Sequence, residues 1–78
     1  MAYKQPEITF SIEKSLGVLS ENNNGYTKEL NLVSWNGKVA KYDIRDWSSD
    51  HKNLSKGITL TKEEMIKLKE ILKDLEIE

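Results

Sequence analysis

The amino-acid sequence predicts an α+β domain, in which a four-stranded, twisted antiparallel sheet is followed by one C-terminal α-helix (ββββα). Three observations support this fold class. Runs of alternating apolar and polar residues, typical of half-buried strands, recur up to Leu60. An Asn36-Gly37 pair, the strongest short-range signal of a β-hairpin, separates two of these runs. After Leu60 the apolar residues recur with the helical period instead.

The first strand follows a short N-terminal segment. Residues 1–7 are predicted to be a flexible leader, and residues 8–78 to form a single domain. In strand one, apolar residues alternate with polar ones from Ile8, and the extended run continues to Leu19 with a kink at Lys14-Ser15 or at Gly17. The residues from 20 to 25 (S-E-N-N-N-G) predict a turn, because asparagine and glycine tolerate positive φ.

Strands two and three, from about Tyr26 to Trp35 and from Val39 to Trp47, form the central hairpin. A strict two-residue turn would pair Trp35 with Lys38, whereas one bulge after the turn pairs Trp35 with Val39. A one-residue slip moves every side chain to the other face, so burial decides between these registers. The bulged register is favoured because it places four apolar residues on one face: Leu30, Leu32, Tyr42 and Ile44.

The opposite face of strand three carries Lys41, Asp43, Arg45 and Trp47, since side chains alternate with period two. In the bulged register Trp35 shares this face, and Glu29 lies opposite Arg45. We expect the face to be open to water. Cations beside flat aromatic rings suit sequence-tolerant binding of a single-stranded nucleic acid, because charges meet phosphates and rings stack on bases.

Residues 48–55 predict a polar loop, and residues 56–60 (K-G-I-T-L) a short fourth strand. Thr61 and Glu64 form a capping-box pattern that begins the helix. The helix carries an apolar stripe that is expected to cover one sheet face and to extend beyond it. The residues predicted to lie at a homodimer interface are Ile66, Leu68, Leu72 and Leu75.

A homodimer is also expected from the size of the chain. A core of 78 residues rarely supplies more than about 3–5 kcal/mol without a further source of stability. The sequence contains no cysteine, which excludes disulfides and agrees with a reducing, cytoplasmic location, nucleoid association included. No apolar run approaches the ~20 residues of a membrane span, so no membrane partner is expected.

The net charge of −1 does not by itself indicate a nucleic-acid-binding protein, since many such proteins are strongly basic. A basic site must come from the arrangement of charges on one face. No catalytic constellation, metal site, cofactor site or small-molecule substrate is indicated, so an enzyme is not expected. His51, the single histidine, is expected to be a solvated or loop-capping residue.

Several stretches together resemble a known family. They are W-N-G-K-V at residues 35–39, D-I-R-D-W at 43–47, K-G-I-T-L at 56–60 and the acid-rich capped helix that follows. This combination resembles the single-stranded-DNA-binding domain of the transcriptional positive cofactor four family, and most closely its short bacterial YdbC-type branch. The resemblance covers about Leu19 to Leu75 and implies a homodimer whose sheets form a channel for single-stranded DNA, with little sequence preference.

Carried over by position, the resemblance implies that Trp35 and Trp47 stack on bases and that Lys38, Arg45 and Lys28 lie near phosphates. With the residues chosen from the face and the fourth strand, the predicted nucleic-acid-binding set is Lys28, Trp35, Lys38, Lys41, Arg45, Trp47 and Lys56. The expected function is single-stranded DNA binding in transcription, replication or repair, with single-stranded RNA not distinguished. The alternative is a protein-interaction or dimeric adaptor module that uses the tryptophan face or the helix.

Overall fold

The structure, a computed structural model, describes residues 9–77. Four strands form a single antiparallel sheet in the order β1-β2-β3-β4, and one helix follows, so the predicted ββββα fold is confirmed. The predicted leader, residues 1–7, and the predicted start of strand one at Ile8 lie outside the described residues. The elements are β1 (Phe10–Glu21), β2 (Thr27–Trp35), β3 (Lys41–Trp47), β4 (Leu54–Leu60) and α1 (Lys62–Lys73).

The β2–β3 hairpin has the bulged register predicted from the sequence. The backbone N–H of Lys38 donates to the carbonyl of Trp35 at 2.9 Å and closes a two-residue turn. The strand ladder resumes at Val33 and Lys41, one residue out of step with that turn. The β3 side therefore holds one extra residue. The resulting pairs are Glu29 with Arg45, Leu30 with Ile44 and Leu32 with Tyr42.

The turn itself needs residues that accept positive φ. Asn36 has φ 51° and Gly37 has φ 74°. Positive φ at both central positions is the type I′ geometry, whose twist matches that of the flanking strands. The Asn36-Gly37 pair thus builds the turn that the sequence predicted.

Strand β1 is bent, as its predicted kink indicated. Its pairing with β2 shifts register three times, between Ile12 and Lys14, between Ser15 and Gly17, and between Val18 and Ser20. Each extra residue bends a strand and increases its twist. The bending leaves Phe10, at the start of β1, with its ring centroid 5.1 Å from that of Trp47.

The whole sheet is strongly curved. Trp35 ends β2, whereas Trp47 pairs with Thr27 at the other end of that strand. At ~3.3 Å per residue these ends would lie about 26 Å apart in a flat sheet. The two indole centroids nevertheless lie only 6.4 Å apart. Both side chains must therefore point into the hollow of the sheet. We call this side the concave face; its central residues are Glu29, Asn31, Val33, Trp35, Lys41, Asp43, Arg45 and Trp47.

The concave face is the more buried one, which corrects the expectation of a face open to water. Val33, Asp43 and Trp47 have no exposed surface, because the curvature of the sheet encloses them, and Phe10 lies against Trp47. The opposite, apolar face is only partly covered. Its four central residues, Leu30, Leu32, Tyr42 and Ile44, are half-buried, and Ile58 beside them is 55% exposed.

Helix α1 begins with the predicted capping box. The backbone N–H of Glu64 donates to Thr61 Oγ1 at 3.1 Å, and the backbone N–H of Thr61 donates to Glu64 Oε1 at 2.8 Å. The helix contacts only β3 and β4, and none of its residues is buried. The expectation that it covers a sheet face is therefore only partly met. Of the predicted interface residues, Leu68 is half-buried, and Ile66, Leu72 and Leu75 are exposed.

Within residues 9–77, no helix has the length and apolar character needed to cross a membrane.

Candidate nucleic-acid interface

The concave face is built around Arg45 of β3. Its guanidinium binds Asp43 with two hydrogen bonds, from Nε to Oδ1 at 2.6 Å and from Nη2 to Oδ2 at 2.7 Å. Nη1 donates to the backbone carbonyl of Ser55 at 3.3 Å. Residues two apart on a strand share a face, which is why the sequence brings Asp43 and Arg45 together. The pair is a bidentate arginine–carboxylate contact, the strong form of this interaction.

Strand β4 leaves room for Arg45 because its partner there is a glycine. Gly57 pairs with Arg45, and a Cβ at Gly57 would lie 2.3 Å from the Cβ of Arg45 and 2.3 Å from the carbonyl oxygen of Ile44. Such contacts are impossible without movement of one strand. Gly57 lies within β4, where the absence of a side chain permits the close approach of β3.

Trp35 lies directly against Arg45. The central guanidinium carbon sits 4.5 Å from the ring centroid, within the range of a cation–π contact. The Phe10 ring is tilted against the same indole, with centroids 5.8 Å apart. Trp35 remains half-buried, and its indole Nε1 is buried. A half-buried indole beside a guanidinium is the aromatic and cationic combination predicted for this face.

The predicted basic residues do not all lie together. Lys41 is exposed and shares the concave face, where it pairs with Val33, and Lys38 is exposed in the adjoining turn.

Lys28 pairs with Asp46, and the alternation of side chains places it on the opposite face from Glu29 and Arg45. Lys56 is exposed in the irregular stretch of β4 that precedes Gly57. The structure thus brings Trp35, Lys38, Lys41 and Arg45 together, and it separates Lys28 from them.

Trp47 is placed beneath this group. It has no exposed surface and contacts Phe10, Trp35 and His51, whose ring centroid lies 5.7 Å away. The expectation that Trp47 offers an open ring face is wrong, because the curvature of the sheet encloses the indole. Its position beneath Trp35 makes it a support for the half-buried indole above.

A second polar cluster, missed by the sequence interpretation, surrounds Glu29. Its carboxylate accepts hydrogen bonds from Thr27 Oγ1 and from Asn31 Nδ2, and His51 Nε2 lies 3.0 Å from both of its oxygens. Burial alone raises the pKa of Glu29, but the three hydrogen bonds and the nearby His51 outweigh it and hold that pKa below its ordinary value. His51 reaches Glu29 from a loop position with φ 59°, and its side chain stays 41% exposed. Of the two predicted roles, loop capping fits this contact better than a purely solvated side chain.

Several buried polar atoms of the described residues have no hydrogen-bond partner within the protein. Three of them belong to the concave face: Asn31 Oδ1, Trp35 Nε1 and Trp47 Nε1; the fourth is Asp46 Oδ1. Buried polar groups are almost always satisfied by protein, water or a ligand. The concave face therefore retains hydrogen-bonding capacity that its own side chains do not use.

No group of three histidine, cysteine or acidic side chains is placed to hold a metal ion anywhere in residues 9–77.

Comparison with known proteins decides the family. The sequence model of the family described as Transcriptional Coactivator p15 (PC4) matches residues 22–71, which include β2, β3, β4 and most of α1. The chain belongs to this family. An uncharacterized protein of the bacterium Treponema pallidum (strain Nichols) is 39% identical over 69 residues, which make up 88% of this chain and 81% of the relative. Membership of the PC4 family supports nucleic-acid binding in general, and the Treponema pallidum relative is consistent with a bacterial protein of the PC4-like type.

Proposed function

We propose that this protein binds single-stranded DNA with little sequence specificity, in support of transcription, replication or repair. Trp35 stacks on a base, and Lys38, Lys41 and Lys56 contact phosphates. The observation that carries the proposal is the half-buried Trp35 indole, with Arg45 4.5 Å from its centroid and Lys41 on the same face. Because stacking and phosphate contacts largely ignore the 2′-hydroxyl, single-stranded RNA is a ligand of the same class.

The roles assigned to two of the predicted residues change, that of Trp47 because of its burial and that of Lys28 because of the sheet face on which it lies. Trp47, with no exposed surface, cannot offer a ring face to a base, and we assign it to the support of Trp35. Lys28 lies on the opposite side of the sheet, so a strand bound on the concave face does not reach it. The proposed binding residues of the concave face are therefore Trp35, Lys38, Lys41 and Arg45. Lys56, exposed beside Gly57 on β4, is proposed as an outlying phosphate contact.

We also propose that the protein binds as a homodimer. Among residues 9–77 only Val33 and Trp47 are buried hydrophobic residues, a very small core for an independent domain. Apolar side chains remain exposed along α1 and on the neighbouring sheet face, and such contiguous patches are typical of interaction sites. A second copy of this chain would bury them; they include Ile58 (55% exposed), Ile66 (48%), Ile71 (64%), Leu72 (48%) and Leu75 (52%).

Fluorescence anisotropy of a labelled oligo-dT strand tests the binding proposal. The wild-type protein should bind the strand and should bind duplex DNA of the same length much more weakly, because the paired bases of a duplex are not free to stack on Trp35. Lys41→Gln should weaken binding and reduce the slope of log K against log[salt] by about 0.7, the value for one phosphate on a single strand. Lys69→Gln is the matched control, because Lys69 is an exposed helix lysine outside the proposed site.

Two outcomes would contradict the proposal. Equal loss of affinity in the Lys41 and Lys69 variants would mean that only the overall charge matters. If oligo-dT did not bind at all, the chain would lack the proposed function, and the adaptor alternative would be the one to pursue.

A further inference from the structure

Three of the five N–H donors of the Arg45 guanidinium are already engaged within the protein. The edge formed by Nε and Nη2 is bound to Asp43, and Nη1 donates to the carbonyl of Ser55. One flat face lies over the Trp35 ring. Because Gly57 has no side chain, the aliphatic part of the Arg45 side chain can lie close against β4. The contacts leave two things without a partner among the described residues: the second flat face of the guanidinium, and one N–H each on Nη1 and Nη2. The Arg45 side chain is 13% exposed.

The charge of Arg45 is also matched within the protein. Asp43 has no exposed surface and has no other cationic partner among the described residues, and the Arg45 side chain is 13% exposed. If a phosphate took the guanidinium edge from Asp43, a carboxylate would be left buried without its partner. Leaving a buried charge unpaired is strongly unfavourable, so exchange of Asp43 for a phosphate is disfavoured.

We propose that Arg45 contacts nucleic acid through the flat face of its guanidinium, as part of a base-stacking platform with Trp35, and not as a phosphate contact. Asp43 is the positioning residue: its two hydrogen bonds fix the orientation of the guanidinium plane, and its carboxylate neutralises the positive charge of Arg45. This inference rests on the proposed function and specifies the ligand chemistry of the same site. Arginine planes accept stacked bases as aromatic rings do. Arg45 should therefore respond to the bases of a strand and not to its phosphates.

The test compares oligo-dT with an abasic deoxyribose-phosphate strand of the same length, which carries the same charge without bases. Arg45→Lys keeps the charge and removes the plane, whereas Arg45→Gln removes the charge. Both variants should weaken oligo-dT binding by about tenfold, the scale of one lost stack. Arg45→Lys, which can still neutralise Asp43, should leave the salt slope and the affinity for the abasic strand unchanged. Arg45→Gln leaves the Asp43 carboxylate without its partner and should weaken binding of both strands. Lys41→Gln is the comparison, because it should weaken both strands and reduce the slope.

A second measurement uses the wild-type protein and does not depend on how the variants fold. Arg45 is the single arginine of the sequence, so its side-chain Nε–H signal in a nitrogen–proton NMR spectrum is unambiguous. The ring current of a stacked base should move this signal when an oligo-dA strand is added. The abasic strand should leave it in place.

Three results separate the explanations. If the abasic strand moves the Arg45 signal as much as oligo-dA does, and Arg45→Lys binds both strands as the wild type does, then Arg45 contacts a phosphate and the inference is wrong. If Arg45→Lys leaves oligo-dT binding unchanged and neither strand moves the signal, Arg45 is only structural, and the inference is also wrong. If wild-type protein binds neither strand, the proposed function fails with it.

Discussion

Replacement of Trp47 by alanine is the strongest test of the curved sheet. Trp47 has no exposed surface, and its ring lies 5.1 Å from Phe10 and 6.4 Å from Trp35, centroid to centroid. A flat sheet would leave this indole on an open face, whereas the observed sheet encloses it. The two arrangements predict very different costs for its removal.

The magnitude follows from the burial. A buried tryptophan removes roughly 200 Å² from water. At about 25 cal/mol per Å², this burial contributes about 5 kcal/mol to the free energy of unfolding. The figure is an upper estimate for the substitution, because the alanine side chain keeps part of the buried surface. Measured losses for such substitutions are about 3–5 kcal/mol, which agrees. For a domain of this size each kcal/mol shifts the melting temperature by roughly 4–8 °C, so Trp47→Ala should lower it by more than about 12 °C.

The assay is thermal and urea unfolding followed by far-ultraviolet circular dichroism, at one fixed protein concentration because association contributes to stability. Trp47→Phe is the control, since it keeps an aromatic ring against Phe10 and should lose much less stability. A melting temperature unchanged by Trp47→Ala would refute the reasoning, because an enclosed indole cannot be removed at no cost.

Three further predictions concern other parts of the structure. Gly57→Ala should destabilise the fold by about 1–3 kcal/mol, because the new Cβ would lie 2.3 Å from the Cβ of Arg45; Gly17→Ala, with nothing within 4 Å of its Cβ, should be close to neutral in the same urea titration. Stability should fall as the pH drops below about 4.5, because the pKa of Glu29 is lower in the folded chain than in the unfolded chain, which therefore takes up the proton first; Glu29→Gln should flatten this dependence. Leu72→Lys should shift sedimentation from twice the 9.0 kDa chain mass towards the monomer, since Leu72 is 48% exposed on the surface proposed for the second copy.

Each of these has a contradicting result. Equal stability of the Gly57 and Gly17 variants would mean that β3 and β4 do not approach as closely as the structure places them. An unchanged acid transition in Glu29→Gln would remove Glu29 from the pH dependence. A wild-type protein that sediments at the single-chain mass at every concentration would rule out the homodimer.

The fold was predictable because its determinants are local. The bulged register follows from the requirement that Leu30, Leu32, Tyr42 and Ile44 share one face, and the structure has that register. The start of the helix follows from Thr61 and Glu64, whose hydrogen bonds are present. Alternation and capping involve neighbours along one strand or within one helical turn, so the sequence displays them directly.

The exposure of the site was not predictable from alternation alone. A period of two assigns residues to faces, but it does not say which face lies inside the curve. The curvature is associated with three register shifts in β1, whereas the sequence predicted a single kink at Lys14-Ser15 or at Gly17. It is also associated with the placement of Phe10 against Trp35 and Trp47. One signal was available: Asp43 and Arg45, two residues apart on one strand, are placed to pair with each other. That pairing indicates an internal partner for Arg45 in place of a phosphate.

The most direct test of the central claim uses the Trp47→Phe protein, in which Trp35 is the single tryptophan left of the two in the sequence. Its fluorescence is titrated with oligo-dT and, separately, with duplex DNA, while anisotropy of labelled strands reports binding independently. Stacking on Trp35 predicts saturable quenching by oligo-dT and little change with duplex. Full binding of oligo-dT with unchanged Trp35 emission would place the interface elsewhere on the protein and contradict the account.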